Sequence, residues 1–399
     1  VIPMKDEITY LAGVSQPAAE PLKPFAQPVM DFLTGLSAAI RKYNGSYPEI
    51  KAFGFWIRKT HLEAFARRYE GRSVRLGRGV VFHMVSSNVP GLFAYSMVFG
   101  LLSGNSCVVR ISSKSGEVEQ RLCEIINELL NQPEFAFMKK RISIFSCDRE
   151  HVVVKNWLSQ CEGLVVWGGD GAIKSIRKMD LMPEGVQVMF PDRYSICILD
   201  LEQIKAMDQK ERKELARRFV NDTYAMDQNA CSSPQFILWH QSRETADQEQ
   251  IRKSWWLAVA EEASAYEIDA HKAVKKYETL SRYAMEVRGI EKIWQYKNLI
   301  YTVLLSEIPD NPQKLRGKWG LFFEYAGDWR NAIHSLAVRK LQTVTYYGIS
   351  RKDLTDYVVD HGLLGVHRIV PVGEALNLDF IWDGQDLLQM LSRELFWEE

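Results

Sequence analysis

The stretch Val80-Val-Phe-His-Met-Val-Ser-Ser-Asn-Val-Pro-Gly-Leu-Phe-Ala-Tyr-Ser-Met-Val-Phe-Gly-Leu-Leu-Ser-Gly-Asn-Ser-Cys-Val-Val-Arg-Ile111 decides the fold. Val80–Val85 and Ser106–Ile111 are short apolar runs rich in valine, which predicts buried strands. Val89–Ser103 between them predicts a helix, entered through Asn88-Val-Pro90 and left at Gly104-Asn105. The unit then repeats. Strands are expected at Ile142–Ser146, Gly163–Trp167, Val186–Phe190 and Ser195–Leu199. Helices are expected at Gly116–Asn131, His151–Gln160 and Ala172–Lys178. Strands alternating with helices at this spacing imply a parallel, doubly wound sheet.

Upstream, residues 1–30 hold several prolines and read as an extended arm, followed by amphipathic helices at Val29–Tyr43 and Ile57–Tyr69. Downstream, a charged helix (Asp208–Phe219) precedes a strand, Gln235–His240, and a charge-rich helical region follows from 243 to about 290. Strands near Leu299–Leu305, Leu321–Tyr325 and Thr343–Tyr347 alternate with helices at Trp329–Lys340 and Lys352–Asp360. A last helix is expected at Gln385–Phe396. The reading is α/β with two doubly wound domains. Residues 1–191 form the arm and a dinucleotide-binding domain, 192–370 a second domain, and 371–399 a C-terminal segment packing back on the first.

At 399 residues the chain is long enough for two domains, and 46% hydrophobic with 25% charged residues is ordinary for a globular protein. Its 50 basic residues balance 50 acidic ones, so no broad field draws it to nucleic acid or to an anionic membrane. The longest apolar stretch, Val89–Leu102, is interrupted by Pro90, Gly91, Ser96 and Gly100 and is too short for a membrane span. Six cysteines show neither CxxC pairs nor ligand spacing, so no metal site, no disulfide framework and a reducing, cytoplasmic setting are expected.

One of these cysteines stands apart. Asn221-Asp-Thr-Tyr-Ala-Met-Asp-Gln-Asn-Ala-Cys231-Ser-Ser-Pro234 is polar and turn-prone and leads directly into a strand. Cys231 is therefore at a loop-to-strand junction, whereas Cys107 and Cys197 lie among apolar neighbours. A thiolate is the strongest side-chain nucleophile near neutral pH. Two turns at strand ends are candidate ligand edges, Ser86–Gly91 and Gly168-Gly-Asp-Gly171. The second suits a diphosphate by its backbone N–H groups, but it is neither GxGxxG nor a P-loop, and a plain tight turn accounts for it equally.

Three segments together resemble the aldehyde dehydrogenase superfamily: Ser87–Arg110, Val165-Val-Trp-Gly-Gly-Asp170 and Gln228-Asn-Ala-Cys231, in that order. Asp222–Pro234, Gly365-Val-His-Arg-Ile-Val-Pro-Val-Gly373, Ile381-Trp-Asp-Gly-Gln385 and Ala52-Phe-Gly-Phe-Trp-Ile-Arg58 resemble more closely the LuxC-type acyl-CoA reductases, across nearly the whole chain. The resemblance implies an aldehyde dehydrogenase-like fold with a cleft between its two domains. It also implies NADPH-dependent reduction of a fatty acyl-CoA to a fatty aldehyde, through an acyl group carried on Cys231. Asn88 becomes the oxyanion donor, with helix capping as its plainer use.

Gly168 and Gly169 would admit the cofactor backbone. Arg110, Ser112, Ser113 and Lys114 lie where an adenosine ribose is held, and without an acid there they favour NADP(H), unless they are ordinary surface residues. Hydrolytic relatives carry a water-activating glutamate where this chain has Met189, which fits thiol rather than water chemistry. No acid is evident near 315–318 for the nicotinamide ribose. His83, His240, His334 and His367 receive no role. The family implies an acyl-protein synthetase partner, which would make an acyl-protein the alternative donor. It also implies a homo-oligomer, with a tetramer suspected. A non-catalytic subunit of such a complex is the third reading.

Overall fold

A computed structural model describes residues 8–86, 88–241, 246–396 and 398. The first seven residues of the expected arm, Ser87 and the start of the helical region expected from 243 lie outside these. The chain divides into two units, residues 1–191 with 385–399, and residues 192–384.

The first unit opens with Thr9–Gly13 (β1) and helices Gln27–Arg41 (α1), Pro48–Trp56 (α2) and Lys59–Tyr69 (α3). Arg75–Gly77 (β2), Val80–Val85 (β3), Leu92–Leu102 (α4), Ser106–Ser112 (β4), Glu117–Leu130 (α5) and Ala136–Lys139 (α6) follow. Then come Ile142–Cys147 (β5), Val152–Gln160 (α7), Gly163–Trp167 (β6), Asp170–Ile176 (α8) and Val186–Phe190 (β7). The sheet order is β1-β5-β4-β3-β6-β7, parallel except for β1 on β5. The inner strands are covered on both faces, which is why they read as unbroken apolar runs. Phe82, Met84, Val108, Phe145, Leu164 and Val166 pack with Val154, Trp157 and Leu158 of α7 and with Ile173 and Ile176 of α8.

Helix α4 is apolar all round and almost wholly buried. A Cβ at Gly100 would come within 2.6 Å of the Cys107 sulfur and 2.7 Å of His83 Nε2, so a glycine is what lets α4 lie on β3 and β4. The turn after α4 is held by Asn105. Its Oδ1 accepts from Arg78 N at 2.7 Å and Gly79 N at 3.2 Å, and its Nδ2 donates to the carbonyls of Gly100 and Leu391. Strand order reverses at β3, with β4 and β5 to one side and β6 and β7 to the other. The carboxyl ends of β3 and β6 therefore flank a topological switch point, where such sheets take ligands.

The second unit runs through Tyr194–Asp200 (β8), Leu201–Ala206 (α9), Gln209–Thr223 (α10), Pro234–His240 (β9), Gln248–Glu262 (α11), Ala270–Glu286 (α12) and Ile290–Tyr296 (β10). It continues with Ile300–Leu305 (β11), Leu321–Gly327 (β12), Trp329–Leu336 (α13), Leu341–Tyr347 (β13), Arg351–Asp360 (α14), Arg368–Pro371 (β14) and Ile381–Trp382 (β15). The sheet order is β10-β11-β12-β9-β8-β13-β14, parallel except for β10. One face packs on α13 and α14 through Ile333, Leu336 and Leu354. The other packs on α9, α10 and α11 through Ile204, Phe219, Trp255 and Trp256.

The C-terminal segment differs from the expected single helix. Gln385–Asp386 (β16) leads to a short helix, Leu387–Leu391 (α15), and then to Ser392–Glu394 (β17), antiparallel to β2. Leu387, Leu388 and Leu391 give α15 a buried face of little more than one turn. Beyond it Arg75 donates to Ser392 Oγ at 2.8 Å and pairs with Glu394 at 2.8 Å, so strand pairing overrides the helical pattern. Residues 371–384 belong to the second unit and 385–399 to the first. Among the described residues no helix is long and apolar enough to cross a membrane.

Candidate active site

The cysteine loop is built between α10 and β9. After Thr223 the chain makes a 3-10 turn, Tyr224–Met226, and then Asp227 and Gln228 both take left-handed backbone conformations (φ 55° and 60°). Two consecutive non-glycine residues in that region must be held there by their surroundings. Gln228 is held from every side. Its Nε2 donates to the carbonyls of Pro234 and Leu321, each at 3.1 Å, and its Oε1 accepts from Gly320 N at 3.1 Å. Gln235 reciprocates, donating to the Gln228 carbonyl at 3.0 Å and accepting from Gly317 N at 2.8 Å. The two glutamines lock the cysteine loop to the 316–321 segment. Asp227 accepts from the Tyr266 hydroxyl and pairs with Lys272 at 3.1 Å.

Cys231 emerges from this clamp as an exposed thiol, while Cys107, Cys123, Cys147, Cys161 and Cys197 are buried. It stands at the amino edge of its sheet, opposite to the edge that doubly wound folds ordinarily use. The starts of β8, β9, β12, β13 and β14 bring Asp192, Arg193, Cys231, Arg316, Lys340 and His367 to this same edge. Its carbonyl accepts from Ser195 Oγ at 2.7 Å, and that hydroxyl also receives Thr343 N at 3.2 Å.

The thiol faces the backbone N–H of Arg193. Arg316 donates to the Arg193 carbonyl and to Asp192 at 2.9 Å, and Lys340 approaches Asp192 at 3.4 Å. Arg193 in turn lies 3.4 Å from the buried Asp383, whose other oxygen takes Gln342 Nε2 at 2.5 Å. Burial of its sulfur among these groups, in a residue that is exposed as a whole, pushes the Cys231 thiol above its ordinary range. Asp192 and Asp383 add to that, and the Arg193 N–H and the Arg316 charge oppose it. Burial also draws His367 down as a base, helped by Arg193 and opposed by Asp383.

In the first unit, Asn88 is an exposed turn residue between β3 and α4. The turn is anchored by Glu119, which sequence reading missed. Its Oε1 accepts from Gly91 N at 3.0 Å and its Oε2 from Gly116 N at 3.1 Å, so one carboxylate serves the starts of α4 and α5. An acid at the third position of a helix was the available signal. Gly168 and Gly169 lie at the carboxyl end of β6, where Gly169 begins α8. A Cβ at Gly169 would meet nothing within 4 Å, and one at Gly168 would make an ordinary contact with Ala172, so the turn is open to a group that must approach the backbone.

Trp167 precedes this turn, stacked on Phe190 at 3.9 Å and bonded through Nε1 to Ser96 Oγ at 2.9 Å. Ser96 also meets His83 Nδ1 at 2.7 Å, and burial draws His83 down to about 3, so it is neutral. The residues expected around the ribose separate here. Ser113 and Lys114 are exposed and Ser112 half-buried. Arg110 is 8% exposed and donates through Nε and Nη2 to the Cys147 carbonyl, at 3.1 and 2.8 Å. Phe93 and Met97 are buried and Tyr95 packs on Phe53 and Trp56, so these three belong to the first unit's core. Met189 is likewise buried in β7.

The family described as Acyl-CoA reductase (LuxC) matches residues 57–394. The chain belongs to this LuxC acyl-CoA reductase family. The long-chain acyl-protein thioester reductase of Vibrio harveyi is 27% identical over 166 residues, 41% of this chain and 32% of that protein. The long-chain acyl-protein thioester reductase 2 of Photobacterium leiognathi is 25% identical over a similar share. This LuxC-family chain thus spans about a third of the length of the curated relatives it matches.

Its fold is that of the aldehyde dehydrogenases. Lactaldehyde dehydrogenase from Escherichia coli superposes with a TM-score of 0.61 at 14% identity, covering 98% of this chain and 95% of that one. A Thermus thermophilus 1-pyrroline-5-carboxylate dehydrogenase mutant gives 0.61 at 13% identity, covering 93% and 81%.

Proposed function

We propose that this LuxC-family protein reduces a long-chain fatty acyl thioester to the aldehyde, with Cys231 carrying the acyl group between donor and reductant. The observation that carries the reading is the exposed Cys231, presented by a loop that the Gln228 side chain ties down through three hydrogen bonds, while five other cysteines are buried. The sulfur attacks the thioester carbonyl, the donor thiolate leaves, and the proton lost from Cys231 is available to that leaving group. The Asn88 amide is proposed to hold the oxyanion with the Cys231 backbone N–H. Gly168, Gly169, Ser112, Ser113 and Lys114 are the proposed holders of a reduced nicotinamide, with Arg110 as their buried support, and when bound that group would supply the hydride that the acyl carbon needs. Collapse of the thiohemiacetal on Cys231 would then release aldehyde and leave a Cys231 thiolate, which takes up a proton from solvent to return to the thiol. NADPH is the preferred form, because Lys114 offers a cation and no acid lies among residues 110–115.

The donor is proposed as fatty acyl-CoA. The alternative is an acyl group received from an acyl-protein synthetase partner; the Vibrio and Photobacterium relatives, acyl-protein thioester reductases by name, support an acyl-protein as donor. A homo-oligomeric, tetrameric state is part of the same proposal. The test is incubation with radiolabelled acyl-CoA, beside Cys231→Ala. Label on the wild type alone supports the assignment, and label that persists in the variant sinks it. Label delivered only by a charged partner protein selects the second donor. Aldehyde release with NADH but not NADPH overturns the cofactor preference.

A further inference from the structure

The second unit contains a buried cation that none of this chemistry uses. Lys276 of α12 is 1% exposed, and its ammonium donates to three backbone carbonyls: Asn298, Leu299 at 3.2 Å and Trp319 at 2.9 Å. The Tyr301 ring lies 4.4 Å from Nζ. Three carbonyls call for three N–H donors, and a lysine ammonium is the side chain that supplies three from one atom.

Two of these carbonyls belong to the turn before β11. The third belongs to Trp319, a non-glycine residue at φ 54° in the 316–320 loop. That loop braces the cysteine loop at each end. Gly320 N donates to Gln228, Gly317 N donates to Gln235, and Trp319 N reaches the Asp227 carbonyl at 3.4 Å. Its Arg316 donates to the carbonyl of Arg193, whose own N–H faces the Cys231 sulfur. Neither end of the loop has slack. A Cβ at Gly317 would fall 1.7 Å from the Leu321 carbonyl oxygen, and one at Gly320 2.1 Å from the Leu299 carbonyl oxygen.

We infer that Lys276 is a positioning residue for the nucleophile. By tying Trp319 to the Asn298–Leu299 turn it fixes the 316–320 loop, and so holds Arg316 and Gly320 where they set the hydrogen bonds and charge around Cys231. The inference rests on Cys231 being the nucleophile, but it acts on the thiol itself and can be read without any acyl donor. The groups bearing on that thiol are Asp192, Asp383, Arg193 and Arg316. Those around Lys276 are Tyr301 and Tyr224, with Lys272 one turn earlier on α12 and its neighbours Asp227 and Tyr266. Burial draws the Lys276 ammonium down to about 7, against the three carbonyls, which favour its charged form.

The experiment measures the rate of Cys231 alkylation by iodoacetamide from pH 6 to 10, read on the Cys231 peptide by mass spectrometry. The full chain is compared with Lys276→Met, a neutral side chain of similar length. The expected result is a folded variant whose alkylation inflection moves up by about half a unit to one unit, as the Arg193 N–H and Arg316 cease to favour the thiolate. Arg316→Gln is expected to move it the same way, and the double variant no further than either alone. An unmoved inflection in a folded Lys276→Met protein overturns the inference. If that variant does not fold, Lys276→Gln takes its place, and failure of both to fold assigns Lys276 to the fold and equally overturns it. Failure of acyl labelling on Cys231 would strike the proposed reaction and leave this measurement standing.

Discussion

The Asp222 carboxylate accepts from Gly373 N at 2.6 Å through Oδ2 and from Ala375 N at 2.9 Å through Oδ1. These bonds join the end of α10, which leads into the cysteine loop, to the segment that follows β14. Two stretches that look like separate signatures in the sequence are thus one construction. Asp222 is fully buried, and burial pushes its carboxyl up to about 7, with the two N–H groups and Arg368 opposing.

That shift makes a pH prediction. The folded carboxyl holds its proton more tightly than the unfolded one, so its contribution to stability is fully present below about pH 4 and lost as pH rises towards 7. The span corresponds to a few kcal/mol, on the order of 4. Asp222→Asn stays neutral throughout. Its urea-unfolding free energy relative to wild type is expected to improve steadily between pH 4.5 and 7.5, and a difference that does not change with pH counts against a neutral Asp222.

Gln228 and Gln235 set a second expectation. Gln228→Ala would strand Gly320 N and the carbonyls of Pro234 and Leu321 inside the protein. An orphaned buried group costs about 1–3 kcal/mol. A loss of about 3 kcal/mol is expected, together with a fall in acyl transfer of at least about tenfold at unchanged thioester KM, because the loop no longer holds its left-handed residues. Gln228→Glu keeps the acceptor for Gly320 N but sets its second oxygen against the carbonyls of Pro234 and Leu321, and should cost at least as much. Single-turnover labelling beside chemical denaturation checks both numbers.

Ser96 carries a third. It is the shared partner of His83 Nδ1 and Trp167 Nε1, beneath the glycine turn of β6. Ser96→Ala leaves both ring nitrogens without that oxygen and should cost about 2 kcal/mol. Because Trp167 directly precedes Gly168, the KM for the reduced cofactor should rise more than that for the thioester. Equal rises, or none, would detach this bond from cofactor binding.

The parallel strands were legible because each is a valine-rich run covered on both faces, as in Val80–Val85 and Gly163–Trp167. The C-terminal helix was misjudged because β17 owes its form to Arg75, more than three hundred residues away, and no local period encodes that partner. Cys231 was legible through its polar loop. Its neighbours Arg193, Arg316 and Asp383 were not, since they come from the starts of different strands and from a later turn, and only the sheet order brings them to one edge. Arg110 shows the reverse case. A basic residue late in a strand reads as a surface charge or a ligand contact, and burial against the Cys147 carbonyl is invisible in sequence.

The separation of Arg110 from Lys114 sharpens the last prediction. Arg110 keeps Nε and Nη2 on a backbone carbonyl, whereas Lys114 and Ser113 are exposed at the end of β4. Any preference for a 2′-phosphate should therefore reside in the pair 113–114. Lys114→Ala is expected to raise the KM for NADPH about tenfold, roughly the worth of one charge-assisted contact, and to leave the KM for NADH unchanged. Arg110→Ala should instead lower stability by about 1–3 kcal/mol, by leaving the Cys147 carbonyl unpaired, and weaken both cofactors alike. Initial rates with each cofactor, beside thermal unfolding of both variants, distinguish the roles. If Arg110→Ala alone erases the NADPH preference, the phosphate contact passes to Arg110, and its bonds to Cys147 must yield when cofactor binds.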